Sequence, residues 1–263
     1  MPTARIAPLM LSLDFTNLAS KARRKLHFGA DWLHMDIMLV YVHLVELIFS
    51  ISLNNFLPKK KNLLGFMLVY LQDGRFVANL TIGAPVIQSL RKHTKAYLDC
   101  HLMVTNPIDY VEPFGKAGAS GFAFHVEVSK DNWQELVEQI MSKGMRPGVA
   151  LRPGTPIEDV YPLLDGENPV EMVLVMTVEP GFGSCQKQWI RCINTVCTLR
   201  KKYPSLDIEV DGGLGPSAID VVASAGANCI VAGSSVLGAS EPARVISLLR
   251  KSVEEADKGK IFA

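Results

Sequence analysis

At 263 residues the chain is long enough for one α/β barrel or two small domains around a sizeable core. Lysine plus arginine (27) nearly balances aspartate plus glutamate (26), so the formal net charge is +1. That balance excludes the basic field that draws nucleic acid or an anionic membrane surface, and any anion must be bound locally.

The five cysteines are scattered, with no CxxC pair, which argues against a disulfide framework or a zinc ribbon and fits a reducing cytosol. The first residues lack the apolar stretch and cleavage site of a secretory signal, so a cytoplasmic location is expected.

In chain order, an apolar run at 5–11 predicts a strand and the amphipathic stretch 17–28 a helix. A second strand is expected at 32–38. The pattern then repeats: helix 85–93, strand 96–104, helix 109–117, strand 121–128, helix 132–143 and strand 146–151. It continues with helix 157–164, strand 172–178, helix 190–203, strand 206–211, helix 217–225, strand 229–232 and helix 243–257. Eight βα units in succession predict an α/β chain folded as a single (β/α)₈ TIM barrel spanning 1–263. In FGADW, KAGASGF and SAGANCI a helix is expected to stop at glycine just before the next strand.

Residues 39–72 break this rhythm in the second βα loop, which normally holds a handful of residues. The segment is apolar at both ends around Pro58 and three lysines. It reads either as an inserted hairpin or helical pair outside the barrel, or as translated non-coding sequence; the flanks join smoothly without it, which favours the second. His43 and Glu46 interrupt its apolar start and argue against a membrane span.

Three strands carry an unusual inner face. Period-two alternation puts His34, Asp36 and Met38 on one side of strand two, Asp99, His101 and Met103 on one side of strand three, and Glu209 with Asp211 on strand seven. A barrel interior is usually filled by branched apolar side chains, and active sites lie at the carboxyl ends of the strands. A histidine or carboxylate taken singly is more often a hydrogen-bonded core residue or a turn cap. Two imidazoles and two carboxylates meeting there make an N₂O₂ set suited to zinc, ferrous iron, manganese or cobalt. Glycines at 181, 183, 212, 213 and 233 follow strands six, seven and eight. Such turns present backbone amides to phosphate, and the loops after strands seven and eight commonly do so in barrels.

Leu33-His34-Met35-Asp36-Ile37-Met38 and, beyond the extra segment, Asp73-Gly74-Arg75-Phe76-Val77-Ala78-Asn79 together resemble a signature of the ribulose-phosphate 3-epimerase family. Met176-Thr177-Val178-Glu179-Pro180-Gly181-Phe182-Gly183 resembles its second signature. Cys100-His101-Leu102-Met103-Val104, Glu209-Val210-Asp211-Gly212-Gly213 and Ala232-Gly233-Ser234-Ser235 also match. The resemblance covers nearly the whole chain except 39–72.

The resemblance implies a barrel of the ribulose-phosphate-binding type that interconverts D-ribulose 5-phosphate and D-xylulose 5-phosphate in the pentose phosphate pathway. One divalent ion per subunit (Zn²⁺, Fe²⁺, Mn²⁺ or Co²⁺) would be held by His34, Asp36, His101 and Asp211. Asp36 and Asp211 would also be the acid/base pair. Met38, His101, Met103 and Met176 would line the substrate, and Gly181, Gly183, Gly213, Gly233 and Ser234 would meet its phosphate. The implied partner is a phosphorylated ketopentose, with no nucleic acid or membrane, and the implied assembly is a homo-oligomer.

Three departures from the family pattern stand out. Leu9 and Leu13 replace small polar residues near the start, the loop at Ser184-Cys185 is one residue longer, and the segment 39–72 follows Met38 directly. They motivate a second reading, a catalytically inactive sugar-phosphate-binding barrel; another ketose 3-epimerase would share the ligand set. Synthases and decarboxylases built on similar barrels carry an Asp-x-Lys strand end, and His34-Met35-Asp36 offers no lysine.

Overall fold

The computed structural model describes residues 2–10, 17–38, 83–178 and 186–261. The segment 39–72, Leu13, Asp73–Asn79, the candidate phosphate glycines Gly181 and Gly183, and Ser184-Cys185 therefore lie outside the described residues.

The strands are β1 (Arg5–Pro8), β2 (Trp32–Met38), β3 (Tyr97–Met103), β4 (Gly121–His125), β5 (Arg146–Leu151), β6 (Met172–Met176), β7 (Asp207–Asp211) and β8 (Cys229–Ala232). Every pairing is parallel, in the order β1-β8-β7-β6-β5-β4-β3-β2. A parallel bridge between Leu9 and His34 closes the ring, helped by the Met10 N–H donating to the His34 carbonyl at 2.9 Å. Closure removes the unpaired edges an open sheet would expose. The expected (β/α)₈ barrel is thus the observed one.

The helices described are α1 (Leu18–His27), α2 (Ala84–Arg91), α3 (Ile108–Ala117), α4 (Trp133–Ser142), α5 (Tyr161–Asp165), α6 (Gln186–Lys202), α7 (Ile219–Ala225), α8 (Ser234–Leu237) and α9 (Pro242–Ile261). Each strand turns one set of alternate residues outward to these helices. On β2 that set is Leu33, Met35 and Ile37; on β3 it is Leu98, Cys100 and Leu102; on β7 it is Ile208 and Val210. The helices answer with stripes such as Leu136, Val137 and Ile140 on α4. Glycines 29, 118 and 226 stop the preceding helices with left-handed φ of 98°, 85° and 116°, as the repeated helix-stop pattern predicts. Among the described residues no helix is long and apolar enough to cross a membrane.

Some boundaries differ from the sequence reading. The fourth strand stops at His125, and Val126–Val128 form a 3₁₀ turn. Helix α6 starts at Gln186, four residues before the periodic pattern suggests, and α9 extends past 257. The eighth loop holds a four-residue helix, α8, which is too short to show any helical period.

Candidate metal and substrate site

The residues on the other face of β2, β3 and β7 point into the barrel. His34, Asp99, His101 and Glu209 are fully buried, and Asp36 and Asp211 sit at 6% and 9% exposure near the carboxyl ends of their strands. The strand register places Asp36 beside His101 and Met38 beside Met103, while Asp211 pairs with Met176 across β6 and β7. One ligand atom from each of His34, Asp36, His101 and Asp211 lies within 4.8 Å of the others. Four residues separated by up to 177 positions in the chain are therefore brought together.

Hydrogen bonds aim these groups. His34 Nδ1 faces Asp99 Oδ2 at 2.6 Å, leaving its Nε2 towards Asp36 Oδ1 at 3.2 Å. His101 Nδ1 approaches the same Asp36 oxygen at 3.0 Å. Two ring nitrogens from neighbouring strands thus converge on one carboxylate oxygen, with the Asp211 carboxylate close by. The arrangement demands positive charge, either protons on the rings or a cation among them, and the N₂O₂ donor set fits a divalent transition ion. A histidine backed by a carboxylate on its far nitrogen is also the usual support for a metal-bound ring.

The electrostatics express the same demand. Burial opposes a charge on His34, but the carboxylates of Glu209, Asp36 and Asp99 hold its pKa well above the ordinary value. Asp36 is buried too, yet hydrogen bonding to His101 and His34 holds it far below the usual carboxylate range. Asp211 moves the other way, to about 6, through burial and the repulsion of Asp36. Glu209 rises to about 8 through burial and the negative charge of Asp99. Two carboxyl groups in one site with affinities for protons pushed apart is the electrostatic pattern of an acid/base pair.

Around this centre, Met103 and Met176 pack with Ala150 and Leu174 in one buried interior cluster. The backbone of Met38 belongs to the same strand ends, but its side chain lies outside the described residues. Thr177 locks the end of β7: its N–H and hydroxyl both donate to the Asp211 carbonyl, at 2.8 and 3.0 Å. Gly212 and Gly213 then turn with φ of 117° and 64°. Gly233 and Ser234 lead into α8, and the Ser235 hydroxyl donates to the Leu214 carbonyl at 2.6 Å, so the loops after β7 and β8 are tied together. Leu9 lies against Gly233; a methyl group added to that glycine would stand 3.4 Å from Leu9 Cδ2.

Five contributors to this geometry carry no role that the sequence alone assigns. Asp99 and Glu209 are visible on the inward face, but nothing in the sequence marks them as supports. His125 and Glu127 do not stand out at all, and Thr177 appears only inside the second signature, with no role given. The His-x-Glu spacing at the end of β4 is the available signal for the first two. His125 Nε2 lies 2.9 Å from His101 Nε2, and His125 Nδ1 lies 3.0 Å from Glu127 Oε2. Burial holds His125 down at about 4, while His125, the Arg152 N–H and Thr155 hold Glu127 at about 2 against its own burial.

Comparison with known proteins shows the family. The ribulose-phosphate 3 epimerase family profile matches residues 54–237. A relative from Oryza sativa subsp. japonica, "Ribulose-phosphate 3-epimerase, cytoplasmic isoform", is 66% identical over 251 residues, covering 95% of each chain. The "Ribulose-phosphate 3-epimerase" of Schizosaccharomyces pombe is 41% identical over 263 residues, covering 99% of this chain and 98% of its own. Among solved structures, 3-hexulose-6-phosphate synthase from Salmonella typhimurium superposes with a TM-score of 0.64 at 14% identity, covering 96% of this chain and 99% of that one. KGPDC from Streptococcus mutans in complex with D-R5P gives 0.63 at 11% identity, covering 96% and 98%. At such identities these two likenesses speak for the barrel alone.

Proposed function

The chain belongs to the ribulose-phosphate 3-epimerase family, a family of isomerases, and from that membership we propose that it epimerises carbon 3 of D-ribulose 5-phosphate through a two-carboxylate, metal-assisted proton transfer. The observation that carries this reading is the meeting of His34, Asp36, His101 and Asp211 within 4.8 Å at the carboxyl ends of β2, β3 and β7.

Inverting carbon 3 requires removing the proton next to the C2 carbonyl and returning one on the opposite face. A single base tends to return the proton to the side it left, so two groups flanking the substrate are needed. Asp36, held ionised by the two histidines, is suited to accept a proton, and Asp211 is suited to carry one near neutral pH. Reversing the direction exchanges their roles.

His34, Asp36, His101 and Asp211 would hold a divalent ion, whose positive charge favours the negative charge that develops on the C2 and C3 oxygens. Met103 and Met176, buried in one apolar cluster, would lower the local dielectric at the strand ends and so strengthen charge interactions there. Gly213, Gly233 and Ser234 supply the backbone turns for the phosphate, together with Gly181 and Gly183 in the family's pattern. Loops after strands seven and eight joined to a short extra helix are the common phosphate site of such barrels. The reading carries with it a homo-oligomeric, cytosolic enzyme, the location being supported by the name of the rice relative.

The test is a coupled assay of xylulose 5-phosphate formation after loading with Fe²⁺, Zn²⁺, Mn²⁺ or Co²⁺. Asp36→Asn and Asp211→Asn are each expected to lower kcat by roughly a thousandfold, the usual scale for losing a general acid or base. Parental turnover in either variant would remove that carboxylate from the chemistry.

A further inference from the structure

We propose that Arg152 is a specificity-determining residue that recognises the end of the substrate remote from its phosphate, the C1 hydroxymethyl group of a 2-ketose. The inference rests on the function proposed above, which seats the phosphate at the turns after β7 and β8 and the reacting carbons at the four strand-end residues.

The ring sets the direction in which such a substrate lies. In the strand order β1-β8-β7-β6-β5-β4-β3-β2, β4 stands diametrically across from β8, and β5 across from β1. A 5-phospho-2-ketose held by its phosphate at Gly213, Gly233 and Ser234, with C2 and C3 over the barrel interior, therefore carries C1 towards β4 and β5.

The inward residues of those two strands form layers. His125 and Ala150 are partners across β4 and β5. Both face the interior, His125 reaching His101 at 2.9 Å and Ala150 packing with Met103 and Met176. Leu151 packs outward into the main core, so alternation returns Arg152 to the inward side one layer above Ala150. Glu127 takes the matching place above His125, its Oε2 3.0 Å from His125 Nδ1.

Glu127 anchors this corner. Its Oε1 accepts from the Arg152 backbone N–H at 2.8 Å and from the Thr155 hydroxyl at 2.5 Å, and the same oxygen lies 3.9 Å from Arg152 Nε. The last separation exceeds a hydrogen bond, so the carboxylate draws the guanidinium by charge alone. The Glu127 side chain is 13% exposed and that of Arg152 40%. One group is thus fixed in the wall while the other extends into the mouth. A guanidinium presents N–H donors in a planar fork and suits an oxygen acceptor such as a hydroxyl. The nearby Met103, Ala150 and Met176 offer no side-chain donor.

Epimerisation is reversible, so D-xylulose 5-phosphate and 1-deoxy-D-xylulose 5-phosphate, which lacks only the C1 hydroxyl, are the probes. The parent is expected to use the first with a kcat/KM roughly 10- to 100-fold higher, the scale of a hydrogen bond to a charged group. In Arg152→Gln the value for D-xylulose 5-phosphate should fall by about that factor, chiefly through KM, while the value for the deoxy sugar stays within about twofold. Arg152→Lys should keep part of the preference. Inhibition by inorganic phosphate should be equal in the parent and Arg152→Gln, because the phosphate turns lie across the barrel. A structural role predicts equal losses for both sugars, and a general attraction for anions predicts weaker inhibition by phosphate. Either result, or equal use of the two sugars by the parent, overturns the inference. Calorimetric binding of both sugars to the parent decides the matter even if a variant does not fold, since equal affinities would overturn it. A parent that binds D-xylulose 5-phosphate more tightly than the deoxy sugar without turning it over would instead remove the epimerase reading and leave the C1 contact standing.

Discussion

Glu209 is the most telling residue in the barrel interior, because it is fully buried and, among the described residues, neither of its carboxyl oxygens finds a hydrogen-bond partner. Its nearest cation is the His34 ring, 3.6 Å away, and Asp99 adds negative charge beside it. A buried carboxylate so placed is costly, and the group responds by keeping its proton up to about pH 8. A carboxyl whose pKa is higher folded than unfolded contributes stability while protonated and loses it as pH rises. For Glu209 the contribution is complete below pH 4.5 and is lost progressively up to about pH 8. Glu209→Gln keeps the shape and stays neutral, so in chelator-treated protein its melting temperature relative to the parent should climb across that interval. One pKa unit is about 1.4 kcal/mol, so a relative gain of at least about 5 °C between the two ends is expected by calorimetry. A difference that does not vary with pH would mean that Glu209 does not titrate there.

At the scale of the element, the exit of β7 shows how a turn sets the Asp211 carboxylate. Thr177 holds the Asp211 carbonyl from the side, and the chain then needs φ of 117° at Gly212. A Cβ at that position would collide with Thr177 Oγ1 and come within 2.9 Å of both Val178 methyl carbons. Gly212→Ala is therefore expected to cost roughly 1–3 kcal/mol in denaturant unfolding, from left-handed strain and this clash. Activity should fall as Asp211 shifts, whereas an unfolding midpoint equal to the parent's would show that the turn relaxes freely. The adjacent Gly213 has the same handedness but open space around its Cα, so its need is conformational only.

Elements like this are legible in the sequence because their physics is local. Alternation in LHMDIM and DIEVD assigns the inward faces of β2 and β7, and the glycine stops end the helices where expected. The 3₁₀ turn after His125 reads as strand because Val126 and Val128 favour extended backbone, while hydrogen bonds from Arg152 and Thr155 anchor Glu127 between them. The early start of α6 is hidden because Gln186, Lys187 and Gln188 carry no apolar period.

At the scale of the molecule, alternation tells which face a side chain takes but not which partner it meets. That His34 and His101 both reach one oxygen of Asp36 follows from the residue-for-residue register of β2 on β3, and Asp211 arrives only because the ring closes through Leu9 and His34. Family resemblance names the candidate ligands; packing sets Asp99 against one histidine and His125 with Glu127 against the other. The same topology would make ion binding at these four residues a property of the folded state. An unfolded chain keeps His34 and Asp36 close but parts them from His101 and Asp211, so a divalent ion binds the native barrel far better than the random chain. At a free ion concentration of about 100 times the dissociation constant, binding should add about 2.7 kcal/mol, or roughly 5–10 °C in melting temperature for a chain of this size. Thermal scans of chelator-treated protein with and without Co²⁺ or Zn²⁺ check this, using Asp211→Asn as the comparison because it removes one ligand charge while leaving β7 intact. The increment should shrink markedly in that variant. An equal increment in both proteins would locate the stabilising ion elsewhere on the barrel and leave the four strand-end residues without the cation their arrangement calls for.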